Sequence, residues 1–350
     1  MTEILTSVEG AVARLRLNRP KAIHALNLDM CRAMSAALLA WRDDPAVEVV
    51  ILDHAEGRGF CAGGDVVLLA RSGAGDGTEG SAFFAEEYRL NHLLFAYPKP
   101  VVALMDGITM GGGVGIALPC RFRVATGNTR FAMPETTIGL FPDVGGGWYL
   151  SRLEARVGQF LALTGARLDG AECAELGLAT HYVASADLPA LVERIIAAPA
   201  RLEGALAAAA TKPPEARIAK NLPMIAKLFA TDTLEETLAA LDADGSDWAA
   251  TEAATIRAKS PLSCKVSLRV LAEGASRTDF ADEMAAEHRL AARVIRTADF
   301  LEGVRALLID KDNAPQWNPA TPEGVTATML DALFADAPPG EEWQPFEDAR

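Results

Sequence analysis

The residues of this 350-residue sequence whose types and spacing suit chemistry are Gly111, Gly112 and Gly113, followed by Glu135 and Asp143. All lie in residues 97–146, YPKPVVALMDGITMGGGVGIALPCRFRVATGNTRFAMPETTIGLFPDVGG. A β-prone run at 101–105 feeds the three glycines. Without side chains they let a ligand approach the backbone closely and leave N–H groups free to point at it. Such donors can make an oxyanion hole. A second glycine loop, FCAGGD at residues 60–65, follows another β-prone run and offers Gly63 and Gly64. Either glycine pair alone fits a tight turn equally well; two pairs, each placed after a strand, favour paired donors. Glu135, in AMPE, and Asp143, in FPDVGGG, stand beside proline and apolar residues rather than in a charge run. They are candidate acids and bases, although Asp143 by itself also fits a turn or cap aspartate.

Other routes to group transfer find no support. The sequence has no GxSxG elbow, no GxxxxGK[ST] loop and no HExxH pair. GDGTEG at 75–80 has the spacing of a dinucleotide fingerprint but follows no strand and carries two acids, so residues 71–80 read as a mobile polar loop. Five scattered cysteines lack paired metal-site spacing and read as reduced thiols of a cytoplasmic protein. Cys61 sits in a glycine loop with no histidine nearby in the motif, and a structural thiol is the expectation. No metal and no cofactor are expected.

Half of the residues are hydrophobic and 23% are charged, the composition of an ordinary globular protein. The formal charge of −14 argues against a nucleic-acid partner, because phosphate neutralisation needs basic surface. No apolar run is long enough for a bilayer span, and the first ten residues lack a targeting pattern. No membrane partner and a cytoplasmic location are expected.

Positioning elements follow from periodicity. Residues 11–17 alternate as a half-buried strand; a helix capped by Asn27 runs to Asp43, Asp44 and Pro45; and 47–54 is a second strand. The alternation of strand and helix predicts an α/β core. Phe84, Tyr88 and Phe95 fall near one face of a helix that also carries Glu87. Residues 162–183 give a helix closed by Gly177 and a short strand. Beyond about residue 200 the chain turns alanine-rich and helical. A core at 1–200 and a helical region at 201–350 are therefore expected, with the last dozen residues loosely ordered.

FCAGGD, YPKP, DGITMGGGVG, FAMPETTIGLFPDVGGG and ALTGARLDG resemble the crotonase (enoyl-CoA hydratase/isomerase) superfamily. SPLSCKVSLR and FLEGVRALLIDKDNAPQW extend the likeness to its 3-hydroxyisobutyryl-CoA hydrolase branch. The resemblance implies a spiral of ββα units and an acyl-CoA substrate, with the backbone N–H groups of Gly64 and Gly112 holding the thioester oxygen. It makes Glu135 and Asp143 the catalytic pair and puts Glu87 beside the substrate, where composition alone would leave a solvated acid. Hydratases of the superfamily place a second glutamate at the position of Gly115, so half of their acid–base pair is missing here. The resemblance also sets the CoA adenine against Ala25, Cys61, Ala62 and Gly63. Arg19, Lys21 and Arg58 are then candidate phosphate ligands, each equally readable as a surface charge. The leading expectation is hydrolysis of a short 3-hydroxyacyl-CoA, most specifically 3-hydroxyisobutyryl-CoA in valine breakdown. The rivals are a hydratase or isomerase of the same fold and a non-catalytic acyl-CoA-binding protein. A homo-oligomer is compatible with either.

Overall fold

The computed structural model describes residues 2–338, 340 and 342–347. Its centre is a six-stranded sheet in the order β1 (Ile4–Glu9), β2 (Val12–Leu17), β3 (Val49–His54), β5 (Val101–Met105), β7 (Phe122–Ala125) and β10 (His181–Tyr182). Only β1 runs antiparallel to its neighbour; the other pairs are parallel. Central strands of a parallel sheet are covered on both faces, which is why VVILDH and VVALM read as continuous apolar runs. β1 exposes all but Ile4 and gave no such signal.

Three long strands each run on into a short one: β3 into β4 (Gly59–Cys61), β5 into β6 (Ile108–Met110) and β7 into β8 (Arg130–Ala132). The short strands pair in parallel and, with β9 (Leu168–Asp169) added antiparallel, build a second sheet, β4-β6-β8-β9. Gly107 makes the β5 to β6 corner at φ +110, where a Cβ would lie 2.5 Å from the Arg58 carbonyl oxygen. This strand–strand–helix repeat is the expected ββα spiral. Its consequence is spatial: the chain leaves β4, β6 and β8 at one edge, so the turns after these strands become neighbours.

Asn27 caps the helix α1 (Leu28–Asp43), its Oδ1 accepting the Met30 N–H at 2.9 Å. Residues 71–80 differ from the mobile loop expected of them. They close a tight corner between α2 (Val66–Gly73) and α3 (Thr78–Phe95), with Gly73 and Gly80 buried. A Cβ on Gly73 would collide with the Ile295 carbonyl and one on Gly80 would lie 2.6 Å from Ile295 Cδ1. The glycines serve close packing, not mobility. The helices beyond residue 200 return to the core: helix Phe280–Val294 packs on α3, and Phe280, Met284 and Leu290 share one apolar cluster with Phe84, Tyr88 and Leu15. Part of the tail expected to be loose is anchored, since Trp343 is buried and its indole N–H donates to the Ala85 carbonyl at 3.0 Å. Residues 339, 341 and 348–350 lie outside the described residues.

Candidate active site

The turns after β4 and β6 face each other. Gly63 (φ +118) and Gly111 (φ +49) take backbone conformations that favour glycine, and a Cβ on Gly112 would lie only 3.3 Å from the Gly64 nitrogen. Among the described residues neither the Gly64 nor the Gly112 N–H has a hydrogen-bond acceptor. Two such N–H groups, so close and uncommitted, can share one oxygen that gains negative charge. They open on a cavity of about 450 Å³ whose lining includes Phe83, Glu87, Glu135 and Asp143.

Glu135 arrives from the third turn. Following β8 and Pro134, it opens a 3-10 turn closed by Gly139 at φ +77. One of its oxygens, Oε1, is 3.2 Å from where a Cβ on Gly111 would stand; the other, Oε2, is buried without a partner. Asp143 sits in the loop before α5 (Gly146–Ser151), and its Oδ2 accepts the Tyr88 hydroxyl at 2.7 Å. Glu87, next to Tyr88 on α3, turns Oε1 to Gly112, where an added Cβ would collide with it.

All three carboxyls are buried, and among the described residues none has an ion pair. Burial, then the Asp143 charge, holds the Glu87 carboxyl well above its ordinary range; the same two causes, in the same order, raise Glu135. Burial also raises Asp143, but the Tyr88 hydrogen bond opposes it and leaves the group at about 6. One low-dielectric cavity does not hold three negative charges, so the proton distribution separates them. Burial and the Asp143 charge oppose ionisation of Glu87 and Glu135, whereas the Tyr88 hydrogen bond favours the ionised form of Asp143. Carboxyls that can give or take a proton thus line one chamber beside two uncommitted N–H groups.

Gly115, the site of the missing hydratase glutamate, has no room for one. A Cβ there would lie 2.5 Å from Val144 Cβ and 3.1 Å from Asn91 Nδ2. Val144 itself is held at φ 54, an unusual conformation for a β-branched residue.

The structure brings Gly64, Gly112, Glu87, Glu135, Asp143, Ala62 and Gly63 to this cavity, but not Ala25, Cys61, Arg19, Lys21 or Arg58. Cys61 is fully buried, its thiol donating to the His24 carbonyl at 3.2 Å and pushed up by burial to about 12, which removes it as a nucleophile. Arg19 is committed, donating to the Ala25 carbonyl at 2.9 Å and to Asp65 at 3.1 Å. Lys21 and Arg58 are exposed. The cations that do line the cavity are Arg167 and Lys259, the latter donating to Thr137 Oγ1 at 2.8 Å. Sequence reasoning missed both, together with Tyr88 and Asn91. Asn91 is wholly buried with neither amide atom partnered. Glu87, Tyr88 and Asn91, polar groups on the buried side of an apolar helix, were the available signal.

The Enoyl-CoA hydratase/isomerase family model matches residues 12–334. The chain is 42% identical over 343 residues to the protein of Xenopus tropicalis named "3-hydroxyisobutyryl-CoA hydrolase, mitochondrial", covering 95% of this chain and 88% of that one. Among solved structures it is similar to one described as a carnitinyl-CoA dehydratase from Mycobacterium thermoresistibile, with TM-score 0.93 and 40% identity over 98% of this chain and 99% of that one. Another, described as an enoyl-CoA hydratase from Rhodobacter sphaeroides, has TM-score 0.88 and 37% identity over 99% of both chains.

Proposed function

The chain belongs to the enoyl-CoA hydratase/isomerase family, and on that footing we propose that it is a thioester hydrolase acting on a short 3-hydroxyacyl-CoA, 3-hydroxyisobutyryl-CoA in the first place. Relatives about 40% identical over 95% of the chain and named for that reaction support the reading. The single observation that carries it within the site is Val144 packed over Gly115. That contact closes the space for a hydratase's second glutamate, and the adjacent Asp143 brings its carboxylate into the cavity from another direction.

In the proposed reaction the thioester oxygen lies between the Gly64 and Gly112 N–H groups. Glu135 passes its resting proton to Asp143 and then takes a proton from water, whose oxygen bonds to the carbonyl carbon. In the alternative the Glu135 carboxylate adds to that carbon, and once the thiol has left, water cleaves the acyl–Glu135 anhydride, freeing the acid as its carboxylate and returning the proton to Glu135. Electrons shift onto the held oxygen; on their return the C–S bond breaks, and the leaving sulfur takes the proton from Asp143. Each fixed N–H donor is worth about 3 kcal/mol of barrier, judged from the loss when one is removed elsewhere. Glu87 borders the acyl group, and Arg167 and Lys259 offer positive charge to the anionic CoA.

Hydratase names among the structural neighbours make addition of water to an enoyl-CoA the second reading. One experiment separates the two. Purified protein is given 3-hydroxyisobutyryl-CoA, 3-hydroxypropionyl-CoA and crotonyl-CoA while free thiol and enoyl absorbance are followed separately. Thiol release from the hydroxyacyl esters supports hydrolysis; enoyl loss without thiol release replaces it with hydration, and neither signal leaves an acyl-CoA-binding protein. Valine breakdown in the cytoplasm is the proposed setting, although "mitochondrial" is part of the relatives' names. Cell fractionation tests the compartment. Among the described residues no helix is long and apolar enough to cross a membrane.

A further inference from the structure

We propose that Glu287, on helix Phe280–Val294, is a positioning residue that clamps the loop presenting Asp143 to the cavity. The inference rests on the hydrolase reading above. After Asp143 the backbone passes through two successive left-handed residues, Val144 at φ 54 and Gly145 at φ 90. A valine stays in that region only where its surroundings over-determine it. Glu287 supplies the constraint: Oε2 accepts the Gly145 N–H at 2.7 Å and Oε1 accepts the Gly147 N–H at 3.0 Å. These donors lie at the start of α5, where N–H groups lack intrahelical partners. The Glu287 side chain is wholly buried, so no water takes over its bonds.

The same helix reaches Asp143 by a second route. His288 sets its ring edge-on against Tyr88, centroids 6.3 Å apart, and Tyr88 donates to Asp143. The helix is fixed in turn by Glu283, which is fully buried and paired with Arg277 at 2.9 Å. Displacing Glu287 therefore releases Asp143 and, with it, the Val144 side chain that fills the space over Gly115. Catalytic geometry is unforgiving of such shifts, and a displacement of about 1 Å costs on the order of 100-fold in rate. Glu287 touches no reacting atom; it acts through the loop.

The test uses two variants of the full-length protein. Glu287→Gln keeps one acceptor oxygen and presents an NH₂ to the second N–H, orphaning it. The expected result is a fall in kcat for thiol release of about tenfold or more, with KM changed by no more than about twofold and unchanged far-UV dichroism. Hydrogen exchange should quicken only across residues 143–151. Glu287→Asp, its carboxylate drawn back by one methylene, should fall between this variant and wild type. Wild-type kcat in both variants, KM rising in step with the loss of kcat, exchange quickening throughout the protein, or failure of both variants to fold would each overturn the proposal. If the wild-type protein releases thiol from none of the esters, the hydrolase reading fails, and with it the catalytic part of the proposal. Exchange at 143–151 then still decides whether Glu287 holds the loop.

Discussion

Tyr88 donates its hydroxyl to Asp143 Oδ2 at 2.7 Å across 55 residues of sequence, and this bond separates Asp143 from the other two acids of the cavity. Glu87 and Glu135 share its burial but among the described residues have no comparable side-chain donor, and both are held well above the ordinary carboxylate range. Asp143 stops at about 6. If the ionised Asp143 is the form that receives the proton from Glu135, thiol release should rise with pH through a midpoint near that value.

Tyr88→Phe removes the donor while leaving the ring. The bond lowers the Asp143 value, so its loss should move the midpoint upward by about one to two units, the worth of a hydrogen bond to a charged group, and the rate at neutral pH should fall by roughly two- to tenfold. A pH–rate profile of both proteins checks this; an unmoved or lowered midpoint assigns the profile to another group.

Burial of Asp143 also has a cost in stability, with a definite sign. Its folded value, about 6, lies above the ordinary 3.8, so the folded state binds the proton more tightly than the unfolded state does. The associated stability is fully present below about pH 4 and is lost as pH rises through about 6. Asp143→Asn cannot ionise and still offers Tyr88 an acceptor oxygen. Its melting temperature should match wild type near pH 4, exceed it increasingly up to pH 6 and then level off, the whole effect being at most roughly 3 kcal/mol. A gap that widened toward acid would contradict the burial argument.

The sequence carried the parts of this molecule that are written locally. The Asn27 cap, the strand at Val101–Met105 and the glycine turns all depend on neighbours a few residues away, so period and residue type revealed them. Gly64, Gly112, Glu135 and Asp143 were recognisable as candidates for the same reason. What escaped was long-range. Nothing near Tyr88 announces Asp143, nothing near Gly145 announces Glu287 142 residues later, and Lys259 meets Thr137 only after the C-terminal helices return to the core. Short strands such as Leu168–Asp169 exist through pairing alone and leave no periodicity. Residues 71–80 misled because glycine at a close helix approach has the same composition as glycine in a loose loop.

Gly115→Glu should not create a hydratase. The new side chain must enter where Val144 Cβ would stand 2.5 Å from its Cβ, beside Asn91. It would push Val144 out and carry Asp143 with it. Thiol release should fall by about 100-fold or more with no gain in crotonyl-CoA hydration, both measurable in one spectrophotometric assay. Efficient hydration with hydrolysis intact would show that the Val144 contact does not separate the two chemistries.

Glu135 and Asp143 should fail differently when each is neutralised. Glu135→Gln keeps the shape of the group facing the Gly111 turn but can neither attack the carbonyl carbon nor accept a proton from water. Hydrolysis should therefore drop by roughly 10²- to 10⁴-fold, the range credited to acid–base catalysis, while calorimetric binding of a CoA ester persists. Asp143→Asn keeps the Tyr88 contact but gives up a proton acceptor held at about 6. If Asp143 relays protons, its penalty should be the same for 3-hydroxyisobutyryl-CoA and for isobutyryl-CoA, which lacks the hydroxyl. If it instead holds that hydroxyl, the penalty should shrink on isobutyryl-CoA, because the lost contact is absent from that ester. The tilt of Asp143 toward Tyr88 and the site's need for one mobile proton favour equal penalties. Wild-type thiol release from either variant would remove that residue from the chemistry.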